Sequence, residues 1–198
     1  QGLTMKNILQ DIVAHTHALG FLEMVKVSNE SDTIIESISE DKTVVLKAQT
    51  HKPVDEFSGV FGMPNLEKLN LHLKNPEYAT DAVIQVISEN KDGEMVPVKI
   101  HFENGAGDFK NDYRFMSKGQ VEQKVKSVKF KGATWNIEFI PAVVAINRMK
   151  LMNDVHRDED KFSVFTRDTT DQLILFFHSV MIAIMQANMY FRMMYLEN

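Results

Sequence analysis

The side chains that could do chemistry are spread along this sequence rather than gathered. Asp154, His156, Asp158, Glu159 and Asp160 form an acidic stretch with one imidazole, which has the ingredients of a metal site. A carboxylate run at a predicted helix end is ordinarily a solvated face, and it is read as one here. His15 and His17 are two residues apart on a predicted helix, so they diverge and make a poor metal pair. His51, His72, His101, His156 and His178 are scattered. Gly59 with Gly62, and Gly105 with Gly107, lack the lysine and hydroxyl positions of a phosphate loop. No serine stands in a nucleophile elbow. The absence of cysteine removes a disulfide framework, a thiolate zinc site and a thiol nucleophile together. The expectation is a protein that is not an enzyme and uses no metal or cofactor.

The elements that would carry such side chains follow from composition and period. With 198 residues, 44% hydrophobic and 25% charged, the chain can bury a core as one large or two small domains. Its formal net charge of −5 argues against tight electrostatic wrapping of nucleic acid and leaves room for one local basic face. The N-terminus lacks the basic start and apolar run of a signal peptide.

Residues 4–18 read as a helix, with Thr4 as N-cap and Met5, Ile8, Leu9, Ile12, Val13 and Thr16 on one face. Strand-like runs follow at Phe21–Val27, Thr33–Ser39 and Thr43–Thr50, separated by polar turns as in an antiparallel meander. A short strand near Glu56–Phe61 leads to a helix carrying Leu66, Leu69 and Leu73, capped by Asn65 and ended by Asn75-Pro76. Strands are expected at Ala82–Ser88 and Met95–Phe102, the second marked by Pro97 as an edge or strand start, and at Tyr113–Met116.

Residues 117–127 are polar and rich in Lys and Gln, and are the candidate connector between two domains. The grammar then restarts: a strand at Lys129–Phe139, a helix opening with Pro141, and strands at Phe162–Thr166 and Gln172–Phe177. Domains are therefore expected at 1–126, including the connector, and at 127–177, an incomplete second copy of the first unit.

Certain phrases carry a family resemblance. Glu56-Phe57-Ser58-Gly59-Val60-Phe61-Gly62 leading into Leu66–Leu73 resembles a strand-to-helix passage of the sliding clamps, or polymerase processivity factors, of T4-like tailed bacteriophages. Val96–Phe102 with Glu103-Asn104-Gly105, and Asp108 through Met116, are similar to marine, cyanophage-type relatives of those clamps. Phe130-Lys131-Gly132 with Trp135–Phe139 is similar to the start of their second domain, so the resemblance spans roughly residues 5–165.

It implies an α+β DNA-clamp fold, with helices on one face of antiparallel sheet, and three subunits closed into a ring around double-stranded DNA. It also implies a DNA polymerase and a clamp loader as partners, docking a peptide near the connector. The setting it implies is the cytoplasm of a phage-infected bacterial host, with no membrane. The DNA-facing candidates on that view are Lys6, Lys68, Lys74, Arg148 and Lys150. The connector candidates are Lys118, Gln120, Lys124 and Lys126, beside Lys129 and Lys131.

The end departs from the family. From His178 to Asn198 the chain is apolar, and Met181, Met185, Met189 and Met193 recur every four residues, one stripe of a helix. Three readings stand: an amphipathic helix packed on this chain or pairing two copies as a dimer, a membrane anchor made costly by His178, Gln186, Asn188 and Arg192, or a shifted reading frame. Methionine-rich surfaces suit adaptable contacts, so a non-enzymatic interaction module that holds no DNA is the alternative to a clamp. An α+β hydrolase is a third hypothesis, with no visible site.

Overall fold

The computed structural model describes residues 4–127, 134, 140–158, 164–168, 172–177 and 180–186. The chain divides into two compact units, Gln1–Lys129 and Phe130–Asn198. Its class is mixed α+β, with antiparallel sheets and four α-helices among the described residues.

In the first unit, Thr4 Oγ1 accepts the Asn7 N–H at 3.3 Å and starts α1 (Met5–His15). Leu9, Ile12 and Val13 form its buried stripe, and Met5 and Ile8 pack half-buried beside them. A 3-10 turn at His17–Leu19 closes on Gly20, whose φ of 88° is the left-handed conformation glycine adopts without strain. The meander is β1 (Val25–Asn29), β2 (Thr33–Ile38) and β3 (Val45–Gln49), and β4 (Gly59–Met63) pairs on the other side of β1, giving the order β3-β2-β1-β4. Helix α2 (Leu66–Lys74) follows, capped by Asn65, whose side chain accepts the Lys68 N–H at 3.2 Å. Then β5 (Val83–Lys91), β6 (Glu94–Glu103) and β7 (Lys110–Arg114) make a second sheet in that order.

Pro97 does not mark an edge, because β6 is the central strand of its sheet. Two features accommodate the missing N–H. The β5–β6 register slips at Ile87/Ser88, so Ile87 faces Lys99 while Ser88 faces Pro97, and β7 pairs with β6 only from Lys99 onward.

The two sheets meet edge to edge. Gly62 of β4 donates to Met116 O at 3.0 Å, and the Met116 N–H returns to Gly62 O at 2.8 Å. A single core draws on both sheets and both long helices: Leu9, Ile12 and Val13 from α1, Val25 and Val27 from β1, Phe61 and Met63 from β4, Leu66, Leu69 and Leu73 from α2, and Ile100, Phe102 and Tyr113 from the second sheet. Helices α1 and α2 therefore share the core face of the sheets.

Residues 117–127 differ from the open polar connector their composition suggests. They contain α3 (Lys118–Lys124), in which Val121 is fully buried, as is Val125 at its C-cap. Helix α3 is not on the face of α1 and α2. A Cβ built at Gly62 would stand 2.6 Å from Val121 Cγ2. Gly62 is the cross-strand partner of Lys26, whose neighbours Val25 and Val27 point into the core. Alternation along the strand then puts Lys26, Gly62 and α3 on the opposite face.

The second unit contains α4 (Val143–Val155) and a sheet of β8 (Val164–Asp168), β9 (Gln172–Phe177) and β10 (Val180–Gln186) in the order β10-β9-β8. Apart from residue 134, the expected strand at Lys129–Phe139 lies outside the described residues. The apolar helix expected from residue 178 onward is corrected over 180–186, where the chain is strand β10, antiparallel to β9 from Val180↔Phe177 to Gln186↔Gln172. The methionine stripe misleads because a four-residue repeat also fits a strand's period of two. Val180, Ile182 and Ile184 add the β-branched preference for strand. A dimer built on a helix starting at residue 178 loses that first stretch, and residues 187–198 lie outside the described residues. Helix α4 keeps only Ala145 buried and leaves Val143 74%, Leu151 65% and Val155 69% exposed. Val144 and Ile146 are exposed as well, so its apolar side chains do not gather into one buried stripe. No helix among the described residues is long and apolar enough to cross a membrane.

Gly62→Ala places a methyl group into Val121 and is expected to cost the first unit roughly 1–3 kcal/mol. The loss is measured as a lowered urea midpoint and is largely restored by adding Val121→Ala.

Candidate functional site

The exposed side of α1 and α2 holds three of the sequence-selected cations, each in a different setting. Lys6 does not project freely: its Nζ donates to Tyr78 O at 2.6 Å and to Ala79 O at 3.5 Å. It thereby ties α1 to the carbonyl end of the 3-10 turn Pro76–Tyr78. Lys68 and Lys74 are exposed, and neither forms an ion pair among the described residues. Asp11 and Glu67 lie on the same two helices and balance them. His15 Nδ1 sits 3.3 Å from Asp11 Oδ1, and His17 Nε2 pairs with Glu67 Oε2, so these two histidines turn to separate carboxylates instead of to a shared ion. The helix pair thus presents Lys68 and Lys74 against Asp11 and Glu67, close to neutral when the histidines are unprotonated.

Arg148 and Lys150 are exposed on α4, in the second unit. Two residues apart on a helix, they point about 200° from one another and do not make a common patch.

The connector candidates divide by role. Gln120 is a capping residue: the Ser117 N–H and Oγ each lie 3.1 Å from its Oε1, one arm of a capping box. Lys118, Lys124 and Lys126 are exposed around the buried Val121 and Val125. Lys124 stands in the last turn of α3, where a cation suits the helix dipole. Beyond α3, Ser127 Oγ donates to Glu36 Oε2 at 3.0 Å and accepts from Lys26 Nζ. Lys26 Nζ and Glu36 Oε2 are 2.8 Å apart, with side chains only 6% and 10% exposed.

A charge ladder on the second sheet has no counterpart in the sequence reading, which treats His101 as one of several scattered histidines. His101 Nδ1 lies 2.8 Å from Asp112 Oδ1 and its Nε2 3.3 Å from Glu103 Oε2. Lys99 reaches Asp112 at 2.7 Å and Lys110 reaches Glu103 at 3.1 Å. Hydrogen bonds from Lys99 and then His101 hold the Asp112 carboxyl below its ordinary range, and those from Lys110 and then His101 do the same for Glu103. The alternation Lys99, His101, Glu103 along β6 was the available signal. The β7 residues that complete the ladder come from pairing, which a single strand does not reveal. These groups are half-exposed and mutually paired, which makes them a structural brace. No group of three or more His, Asp or Glu among the described residues is arranged to hold a metal ion. In the acidic stretch, Asp154 accepts from Arg157 Nη2 at 2.9 Å, and Glu159 and Asp160 lie outside the described residues.

Under α2, His72 is stacked 4.9 Å from the Phe102 ring, and Tyr78 packs at 5.3 Å from the same ring. Burial, and then the charge of Lys68, push the His72 pKa down, and its Nε2 has no hydrogen-bond partner among the described residues. Burial pushes the Tyr113 hydroxyl far up, and its O–H donates to Pro64 O.

No protein-family model matches the chain, and no curated protein is detectably similar to it.

The buried imidazole sets a direction for pH dependence. Unfolded, His72 takes a proton near its ordinary 6.5, whereas folded it does so only at lower pH. The unfolded chain binds more protons in that interval, so stability is complete above 6.5 and falls as the pH drops through it toward the folded value. His72→Leu is expected to flatten the fall in urea midpoint between about pH 7 and 5, and an unchanged slope would assign the fall to other groups.

Proposed function

We propose that this chain is a sliding-clamp processivity factor, which encircles duplex DNA and tethers a replicative DNA polymerase without catalysing a reaction. The observation that carries the proposal is the layering of the first unit. Two helices lie side by side on one face of two edge-joined antiparallel sheets, and a lysine-bearing segment crosses the opposite face. In a ring built from such units, the helices line the hole and the sheets form the outside. Lys68 and Lys74 then face DNA, and one of Arg148 and Lys150, which leave opposite sides of α4, takes the corresponding role there. Lys118, Lys124 and Lys126 lie where a polymerase or clamp-loader peptide docks, and the ring is a homotrimer working in the cytoplasm of an infected bacterium.

Charge supports the same reading. Each phosphate neutralised adds salt-dependent affinity, and strong contacts would hinder sliding. A helix face with Lys68 and Lys74 set against Asp11 and Glu67 gives weak, non-specific contact of the kind sliding requires.

A second reading, an interaction module that holds no DNA, is favoured by a specific observation: α4 exposes Val143, Val144, Leu151 and Val155. Apolar surface of that kind marks contact with another chain.

Retention on DNA separates the two. A clamp stays on a nicked circular duplex through gel filtration and is lost when the circle is linearised. Equal retention on both forms, or none on either, would favour the interaction module. On linear duplex, Lys68→Glu with Lys74→Glu is expected to weaken the residual association and to reduce the slope of log K against log salt by about 2.

A further inference from the structure

We propose that residues 117–127 are a strap latched across the outer face of the first sheet, and that Ser127 is the latch. Gly62, Lys26 and Glu36 are cross-strand partners on β4, β1 and β2, so they form one row perpendicular to the strands. Across two strand spacings this row is about 10 Å long. The strap follows it. Val121 seats over Gly62 at one end, where only a residue without a side chain leaves room. Ser127 bonds both Lys26 and Glu36 at the other.

The two ends differ in what holds them. The Val121 end is apolar packing. The Ser127 end is two hydrogen bonds to a buried ion pair, and such bonds are worth more than neutral ones because both partners are charged. Ser127 itself is exposed, so the latch can open while the Lys26–Glu36 pair stays closed beneath it. Releasing it frees the end of the strap that carries Lys124 and Lys126, bares the row beneath, and frees the point where the chain leaves the first unit. This role depends on the first unit alone and stands apart from any ring.

The test is a double-mutant cycle read by amide hydrogen exchange. Ser127→Val keeps the bulk and removes both bonds. It is expected to speed exchange of the Val121 and Val125 amides about 5–10-fold. In a background where Lys26→Met and Glu36→Leu replace the ion pair with apolar side chains, those amides already exchange faster while β1 and β2 amides stay protected. There Ser127→Val is expected to add less than about two-fold. If that background does not fold, Lys26→Leu with Glu36→Val, which likewise leaves Ser127 no partner on the row, supplies the second background. The latch is overturned if Ser127→Val leaves strap exchange within about two-fold of the unmodified protein, or accelerates it equally in both backgrounds.

Discussion

Gly62 is the residue on which the first unit turns. Along its strand it faces Lys26 of β1, and at the other edge it exchanges both backbone hydrogen bonds with Met116. That exchange joins the two sheets. Above it sits Val121, close enough that a Cβ has no room. Its neighbours Phe61 and Met63 are fully buried in the core that α1 and α2 cover. One residue without a side chain therefore satisfies two sheets, a core and a crossing segment at once. A wider residue would have to displace backbone pairing or the strap, and protein interiors resist both because they are already close-packed.

The placement of charge follows from the same layering. The core face takes apolar side chains from α1, α2 and both sheets, and the charged pair Lys26 and Glu36 of β1 and β2 falls on the opposite face, under the strap. Lys26 and Glu36 are buried there and so are obliged to pair, since an uncompensated charge at that depth is costly. On the second sheet the corresponding face is open, and Lys99, His101, Glu103, Lys110 and Asp112 brace one another in partial contact with water. The outer surface of α1 and α2 keeps few charges and balances them. A protein built to grip nucleic acid concentrates its lysines on one surface, and this chain spreads them.

Much of this was legible in the sequence because it rests on local period. The 3.6-residue spacing of Leu9, Ile12 and Val13, and of Leu66, Leu69 and Leu73, marked both core helices. Polar turns at Asn29–Asp32 and Glu40–Lys42 marked the meander. What the sequence hid depends on pairing between distant segments. Pro97 reads as an edge signal until the bulge opposite Ser88 is known. Ser127 reads as linker until Lys26 and Glu36 are found beneath it. Gln120 reads as a partner contact, although its oxygen caps α3. The four-residue methionine spacing is shared by helix and strand, and β10 took the strand through its pairing with β9. Lys6 looked like a cation available to DNA, yet its ammonium is committed to two carbonyls some seventy residues away.

The central claim is that this chain assembles into a ring, and solution mass tests it most directly. Multi-angle light scattering across a range of protein concentrations is predicted to give three times the 22.7 kDa chain mass, held on dilution. A monomer at every concentration, or a dimer that dissociates on dilution, would contradict the ring.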